Sequence, residues 1–394
     1  PRAFSQISGE VVQTTAWVIQ KFRVERYRPT FNRLIEGNEE NKKEWLRSGE
    51  NRYCEVDQDE FQKIPGSPIA YWLSHRTINS FQKIDPVTEF ADPRQGLATS
   101  DNNRFVRNWH EVSIANIGFG IGSRDEAKDS SRKWFPFNKG GSYKKWAGNY
   151  ELVVNWGDDG REIKESILSK YPYLNTPDFV AKNPNFYFKE GLSWSALSSG
   201  DFSLRLQPKG FIFADKGQAM FPHNSSNLYG LLGYMNSSVA MHFMKALAPT
   251  LDFNLGYISK VPVVIDGNAT NCVKELVEIF QNDWNSKETS WDFKSNPLVE
   301  LKATSIGSAF NEWSDKTYQA VRRAHTLELE VDSIYVDKFG LGDELSDVRP
   351  VSQISLECNP YFVYGDDKDI HTVRMRSDSA CELISYSIGC ILGR

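Results

Sequence analysis

The sequence predicts an α+β protein, a mixed α/β domain followed by a mainly helical C-terminal domain. Two observations carry this. Residues 91–265 are rich in Gly, Asn and aromatics, with short apolar runs cut by turn residues, as short strands require. Residues 266–394 instead space their apolar side chains three and four apart, the period of a half-buried helix. With 394 residues, 40% hydrophobic and 25% charged, the chain has length for two or three domains with cores of their own.

Taken in order, "GEVVQTTAWVIQKF" (9–22) is β-branched and aromatic after Gly9 and suits a buried strand. Its opening, "PRAFSQISGEVV", reads as the interior of a longer chain. Residues 36–90 form a helical connector: Asn38 to Glu60 is charged and helix-prone around Trp45, and a helix is expected to start near Pro68 after the Pro65-Gly66 turn. Within 91–265 the clearest unit is "FSLRLQPKGFIFAD" (202–215). Alternation in both arms predicts a hairpin turning at Pro208-Lys209-Gly210, with Leu204, Leu206, Phe211 and Phe213 on its buried side. Leu228, Leu231, Leu232, Met235 and Val239 then predict one helix over 228–247. The helical part, 266–394, offers Val273–Trp284, Leu298–Tyr318 and His325–Phe339. A capping box at Ser379-Ala-Cys-Glu382 is expected to open a final helix.

Net charge is −5, yet the charge is uneven. Residues 101–150 hold nine Lys/Arg against five acids, and residues 326–370 hold three against eleven. A basic segment in an acidic chain points to a local anionic partner. Five scattered cysteines without a CxxC pair argue against a disulfide framework or zinc knuckle and fit a reducing cytoplasm. The most apolar stretch, 228–247, is interrupted by Asn236, His242 and Lys245, so no membrane span is expected.

Motifs for small-molecule chemistry are weak. "IGFGIG" (117–122) is followed by Ser123, with no clean strand before it, and reads as a flexible glycine loop rather than a dinucleotide fingerprint. "NPNF" (183–186) and "NPYF" (359–362) lack the second proline of the loop that holds a flipped adenine, and both read as turns. The six histidines show no metal-ligand pairing, and no GxSxG elbow exists.

The most unusual stretch is "KWFPFNKGGSYKKWAGNYELVVNW" (133–156). Lysines beside aromatics suit phosphates and bases, and Gly140-Gly141 would let backbone amides approach a phosphate. The same composition suits a core edge with solvated lysines, and composition leaves the two readings level. Trp146, leading into Leu152-Val153-Val154, is expected to brace the loop from below, with Trp134 nearer the surface.

Several stretches together resemble a known family. "DPRQGLATSDNNRFVRNWHEVS" (92–113), 132–156, "YFKEGLSWSALSSGDFSLRLQPKGFIFADKG" (187–217) and 231–264 are similar to the PglX family. Those are adenine-specific DNA methyltransferases of BREX phage-exclusion systems, themselves related to type IIG restriction–modification enzymes. The likeness runs on through "CNPYF" and "ELISYSIGCILGR", and so covers almost the whole chain. The family reads Thr-Gly-Asp-Asn where this chain has Thr99-Ser100-Asp101-Asn102.

The resemblance implies the downstream half of such an enzyme, whose upstream domain carries the S-adenosylmethionine loop and the Asn-Pro-Pro-Tyr loop. The chain alone is then expected to be inactive, S-adenosylmethionine being the cofactor of the full-length enzyme. Residues 91–265 would be the target-recognition domain on double-stranded DNA. Phosphate contacts are assigned to Arg94, Arg104, Arg107, Lys139, Lys144 and Lys145, with the Gly140-Gly141 backbone beside them, and base reading to Gln95, Asn138 and Arg205. The alternative is a non-catalytic module that docks other phage-defence subunits or phage inhibitor proteins, which the acidic helical tail fits better than DNA. A sugar-binding aromatic platform is disfavoured by the lysine excess.

Overall fold

A computed structural model describes residues 15–22, 24–197, 200–247, 252–345 and 349–393. By its internal contacts the chain divides into two compact units, Pro1–Asp85 and Pro86–Arg394.

In the first unit, strands β1 (Phe31–Asn32) and β2 (Arg52–Tyr53) pair antiparallel around helix α1 (Glu39–Ser48). Asn38 and Asn41 cap α1 reciprocally, and Gly49 ends it in the left-handed conformation. Phe31 stacks on Tyr71 at 4.2 Å over a core of Phe61, Ile64, Leu73 and Ile78. Helix α2 (His75–Lys83) starts later than the proline suggested, because Ser74 supplies the N-cap to the Thr77 amide. The strand expected at 9–22 falls partly outside the described residues. Its described part, 15–22, is not a strand, and Trp17, Val18 and Ile19 are exposed, with no strand among the described residues paired to them.

The second unit is built on two four-stranded sheets. Chain order runs β3 (Ala91–Arg94), α3 (Asn102–Phe105), β4 (Val106–Asn108), α4 (Arg124–Asp129), β5 (Trp134–Asn138) and β6 (Leu152–Asn155). It continues through α5 (Gly157–Lys170), β7 (Gly191–Ser195), β8 (Leu204–Gln207), β9 (Ile212–Phe213) and β10 (Gly217–Pro222). One sheet has the order β3-β10-β7-β8 and is antiparallel throughout. The other has the order β4-β6-β5-β9, with only β5–β9 parallel. Phe135, Phe137 and Val154 face α5 through Ile163 and Ile167, and Phe188 and Phe213 complete that core.

The 202–215 tract is a correction. Its four apolar side chains are buried as expected, but β8 and β9 do not pair: β8 joins β7 in the first sheet and β9 joins β5 in the second. Residues 204–207 and 210–214 are buried on both faces, so alternation did not decide the pairing.

Helices α6 (Leu228–Met235), α7 (Ser238–Leu247), α8 (Leu255–Ile258), α9 (Gly267–Asn285), α10 (Pro297–Glu300), α11 (Ile306–Phe339), α12 (Pro360–Tyr364) and α13 (Lys368–Ile391) complete the unit. The helix expected over 228–247 is broken, because Asn236 turns aside to bond the β8 backbone: its Oδ1 accepts the Leu204 amide and its Nδ2 donates to the Leu204 carbonyl, both at 2.9 Å. Conversely, 306–339 is one helix where two were expected, capped by Ser305 and closed by Gly340 at φ 63°. Ser379 opens nothing: α13 is capped by Asp367 and runs through it, leaving Ser379 buried mid-helix. No helix is long and apolar enough to cross a membrane among the described residues.

Candidate nucleic-acid interface

The opening aromatic–lysine stretch splits into buried and accessible parts. Trp146 is buried, and its indole N–H donates to Glu328 of α11 at 2.8 Å, while Trp134 is half-exposed at the start of β5. Two lysines go inward with Trp146. Lys144 meets Glu357 at 3.1 Å and donates to the Ser355 carbonyl. Lys145 donates to the Asn236 carbonyl at 3.0 Å and pairs with Glu328 at 3.4 Å. Arg349 closes the cluster, donating to Glu328 and reaching Asp332 at 3.3 Å. Burial, and then Arg349, lower the Lys145 ammonium to about 8, with Glu328 opposing them.

Two base-reading candidates are also enclosed. Arg205 is 1% exposed and donates to the Lys144 carbonyl at 3.4 Å, and burial lowers it to about 10. Asn138 is buried, donating to Gln207 Oε1 at 3.1 Å and accepting the Gly140 amide at 3.2 Å. Lys144, Lys145, Asn138 and Arg205 therefore present no side chain to a partner in this conformation. The sequence shows their polarity but not the distant acids and carbonyls that enclose them.

The accessible candidates gather where strands end. β3 finishes at Arg94 with Gln95 following, and β5 runs out into Lys139-Gly140-Gly141. β7 finishes at Ser195, which pairs with Gly217, the first residue of β10. A Cβ on Gly217 would stand 2.4 Å from both the Asn138 carbonyl oxygen and the Gly140 nitrogen, so only glycine permits this approach. Gly140 and Gly141 both hold positive φ, 95° and 126°, and the Ser195 hydroxyl donates to the Gly141 carbonyl at 3.0 Å. Lys182 donates to Gln95 Oε1 at 2.8 Å, and Asn183, itself left-handed, donates to the Gln95 carbonyl. Arg94 pairs with Asp92 and lies over the Phe186 ring at 4.9 Å. Lys139 is half-exposed and meets no carboxylate among the described residues.

Arg104 and Arg107 sit at the opposite end of β5. Arg107 lies over the Trp134 ring at 5.9 Å and donates to the Asn103 and Val106 carbonyls, while Arg104 is exposed over Phe105. At about 3.3 Å per residue, β5 separates this pair from the Lys139 group by roughly 13 Å. Ser100 holds φ 60°, a left-handed backbone with a side chain present.

Lys182, Asn183 and Ser195 were not singled out from the sequence. The signal was the "NPNF" tract, whose left-handed Asn183 fastens this segment to Gln95. The glycine loop 117–122 does not fit S-adenosylmethionine. The 3-10 turn at Ile114–Asn116 precedes it where a cofactor loop would follow a strand, and the exposed Lys209 side chain lies over Gly122.

With this geometry in place, similarity supplies the class. No family model matches the chain. It is nonetheless similar along its whole length to adenine-specific methyltransferases of the PglX and BrxX type. The adenine-specific methyltransferase BrxX of Escherichia coli O9:H4 (strain HS) is 38% identical over 400 residues, spanning 100% of this chain and 31% of the relative. The adenine-specific methyltransferase PglX of Lacticaseibacillus casei (strain Zhang) is 33% identical over 408 residues, spanning 100% of this chain and 32% of the relative. The chain thus spans about a third of the length of these curated relatives.

Proposed function

We propose that this chain is the DNA target-recognition and C-terminal portion of a site-specific DNA adenine-N6 methyltransferase of a phage-defence system. It grips duplex DNA while a domain outside the chain transfers a methyl group from S-adenosylmethionine. The observation that carries this is the whole-length similarity to adenine-specific methyltransferases. On this reading residues 1–35 end the catalytic domain, 36–90 connect, 91–265 recognise DNA and 266–394 form the helical domain. Arg94, Arg104, Arg107 and Lys139 meet phosphates, with the Gly140-Gly141 backbone beside Lys139. Gln95 is the accessible amide for a base edge. The buried Lys144, Lys145, Asn138 and Arg205 support the surface from beneath.

Duplex titration at several salt concentrations tests the reading. Replacing Arg104 and Lys139 with Ala should weaken binding to any duplex about equally and flatten the slope of log K against log salt by about 1.8, since each phosphate contributes about 0.9. Replacing Gln95 should remove about 1–3 kcal/mol at the preferred site alone. Labelled S-adenosylmethionine should yield no transfer by this chain by itself. Absence of salt-sensitive duplex binding by the parent chain rejects the reading.

One observation favours the second reading, a protein-docking module. Helix α13 exposes Val373, Ile384, Ile388 and Ile391, an apolar stripe at helical spacing. Binding of defence-system subunits with no affinity for duplex would select it.

A further inference from the structure

The glycine loop 117–122 and the Pro208-Lys209-Gly210 turn lie back to back. Gly210 holds φ 101°, and a Cβ there would stand 3.2 Å from the Gly120 nitrogen. The end of the Lys209 side chain lies across Gly122, where a Cβ would meet its Cε at 2.2 Å and its Nζ at 2.5 Å. Beside them opens a polar cavity of about 450 Å³, walled by Gly122, Arg124, Lys128, Asp159, Asn185 and Lys189.

Its inner wall is rigidly built. Asp158, Asp159 and Gly160 are left-handed in succession, an uncommon backbone that sets the Asp159 carboxylate against Arg124. Arg124 reaches it with Nε at 3.1 Å and Nη2 at 2.7 Å, Lys164 joins at 2.7 Å, and Arg124 Nη1 donates to Asn185 at 3.1 Å. Asp159 is thereby neutralised. Glu126 is engaged by the Gly122 amide at 2.8 Å.

Three lysines remain, facing the carboxylates of Asp125, Glu126 and Glu190. Lys128, Lys189 and Lys209 are exposed, and none pairs with a carboxylate among the described residues. Against them Asp125 stands at the cavity wall and Glu190 beside Lys189. The Phe186 ring lies 4.9 Å from both Arg94 and Lys189, joining this patch to the strand-end surface through one aromatic side chain.

We infer that this cavity and its rim are a second phosphate-contacting surface, in which Lys128 and Lys189 at the cavity wall and Lys209 beside it over Gly122 clamp the DNA backbone on the far side of Phe186 from Gln95. The inference rests on the DNA-binding reading and adds a site to it. Three mobile point charges around a polar, partly enclosed space suit phosphodiester oxygens and carry no base preference.

The test titrates a fluorescent duplex against the parent chain and the K128A/K189A/K209A variant at several salt concentrations. All three side chains are exposed, so thermal unfolding should be unchanged. The slope of log K against log salt should fall by about 2.7 in the variant, equally for unrelated duplexes. Lysine acetylation read by mass spectrometry should show Lys128, Lys189 and Lys209 protected when duplex is added. An unchanged slope with duplex binding intact overturns the clamp and leaves the DNA reading standing. A parent chain that retains no duplex overturns both.

Discussion

Replacing Glu328 with Gln should lower the stability of this chain by about 3–5 kcal/mol, the cost of removing one partner from an enclosed ion cluster. The Glu328 side chain has no exposed surface, and it accepts the Trp146 indole while pairing with Lys145 and Arg349. Its amide replacement keeps the shape but removes the charge that offsets Lys145 and Arg349, leaving the Lys145 ammonium to the Asn236 carbonyl and the more distant Asp332. Lys145 can relieve the cost by losing its proton, so the double variant E328Q/K145M should recover more than half of the loss in a denaturant-midpoint cycle. Full additivity of the two substitutions would show that the pair does not interact.

The same cluster sets a pH dependence. Burial pushes the Glu328 carboxyl up, but Lys145, Arg349 and the Trp146 N–H outweigh it and hold it below the usual carboxylate range. Its contribution is therefore present above that range and is lost as pH falls through it. Lys145 acts in the same sense in a higher window. Its folded value of about 8 lies below the ordinary 10.5, so between these values the unfolded chain binds more protons. Stability from this group rises with pH across that window. Melts of the parent and of K145M between pH 7 and pH 10 should differ in slope in that sense.

These contacts mark the boundary of what sequence could reveal. Local patterns carried the fold class, the burial of Leu204, Leu206, Phe211 and Phe213, and the inward position of Trp146. All depend on composition within a few residues. The fate of individual lysines does not. Lys145 meets a glutamate 183 residues downstream, and Lys144 meets a serine carbonyl 211 residues downstream, so nothing near either lysine distinguishes it from Lys139. Strand pairing was illegible for a related reason. Two adjacent apolar runs with a turn between them make a hairpin only if nothing better is available, and here β7 and β5 each take one run. Asn236 illustrates the same competition inside a helix: the spacing of Leu232, Met235 and Val239 is helical, yet one amide side chain does more for β8 by bonding its backbone. The "NPNF" and "IGFGIG" tracts read locally only as a turn and a glycine loop. Their positions beside Gln95 and Lys209 became visible only when distant segments were brought against them.

Replacing Gly96 with Ala should be the other severe change, costing about 3 kcal/mol, the upper end of what overpacking a filled interior produces. Gly96 lies where the chain leaves β3 of the first sheet and meets β9 of the second. Its amide donates to the Ala214 carbonyl at 3.1 Å, and the Leu97 amide donates to the Phe213 carbonyl at 2.9 Å. A Cβ at residue 96 would stand 1.9 Å from the Phe213 carbonyl oxygen and 2.7 Å from its ring. The nearest obstacle is backbone, held by those two hydrogen bonds and by the parallel pairing of Phe213 with Asn138, so no flexible side chain can yield. Relief requires the chain at 95–97 to move away from β9, which displaces Gln95 from Lys182 and Asn183. The variant should therefore lose stability in denaturant titration. On the DNA-binding reading, at temperatures where it remains folded it should also lose discrimination between preferred and unrelated duplexes, while the salt dependence of binding persists. Stability and discrimination equal to those of the parent chain would show that the two sheets are not locked together at this crossing.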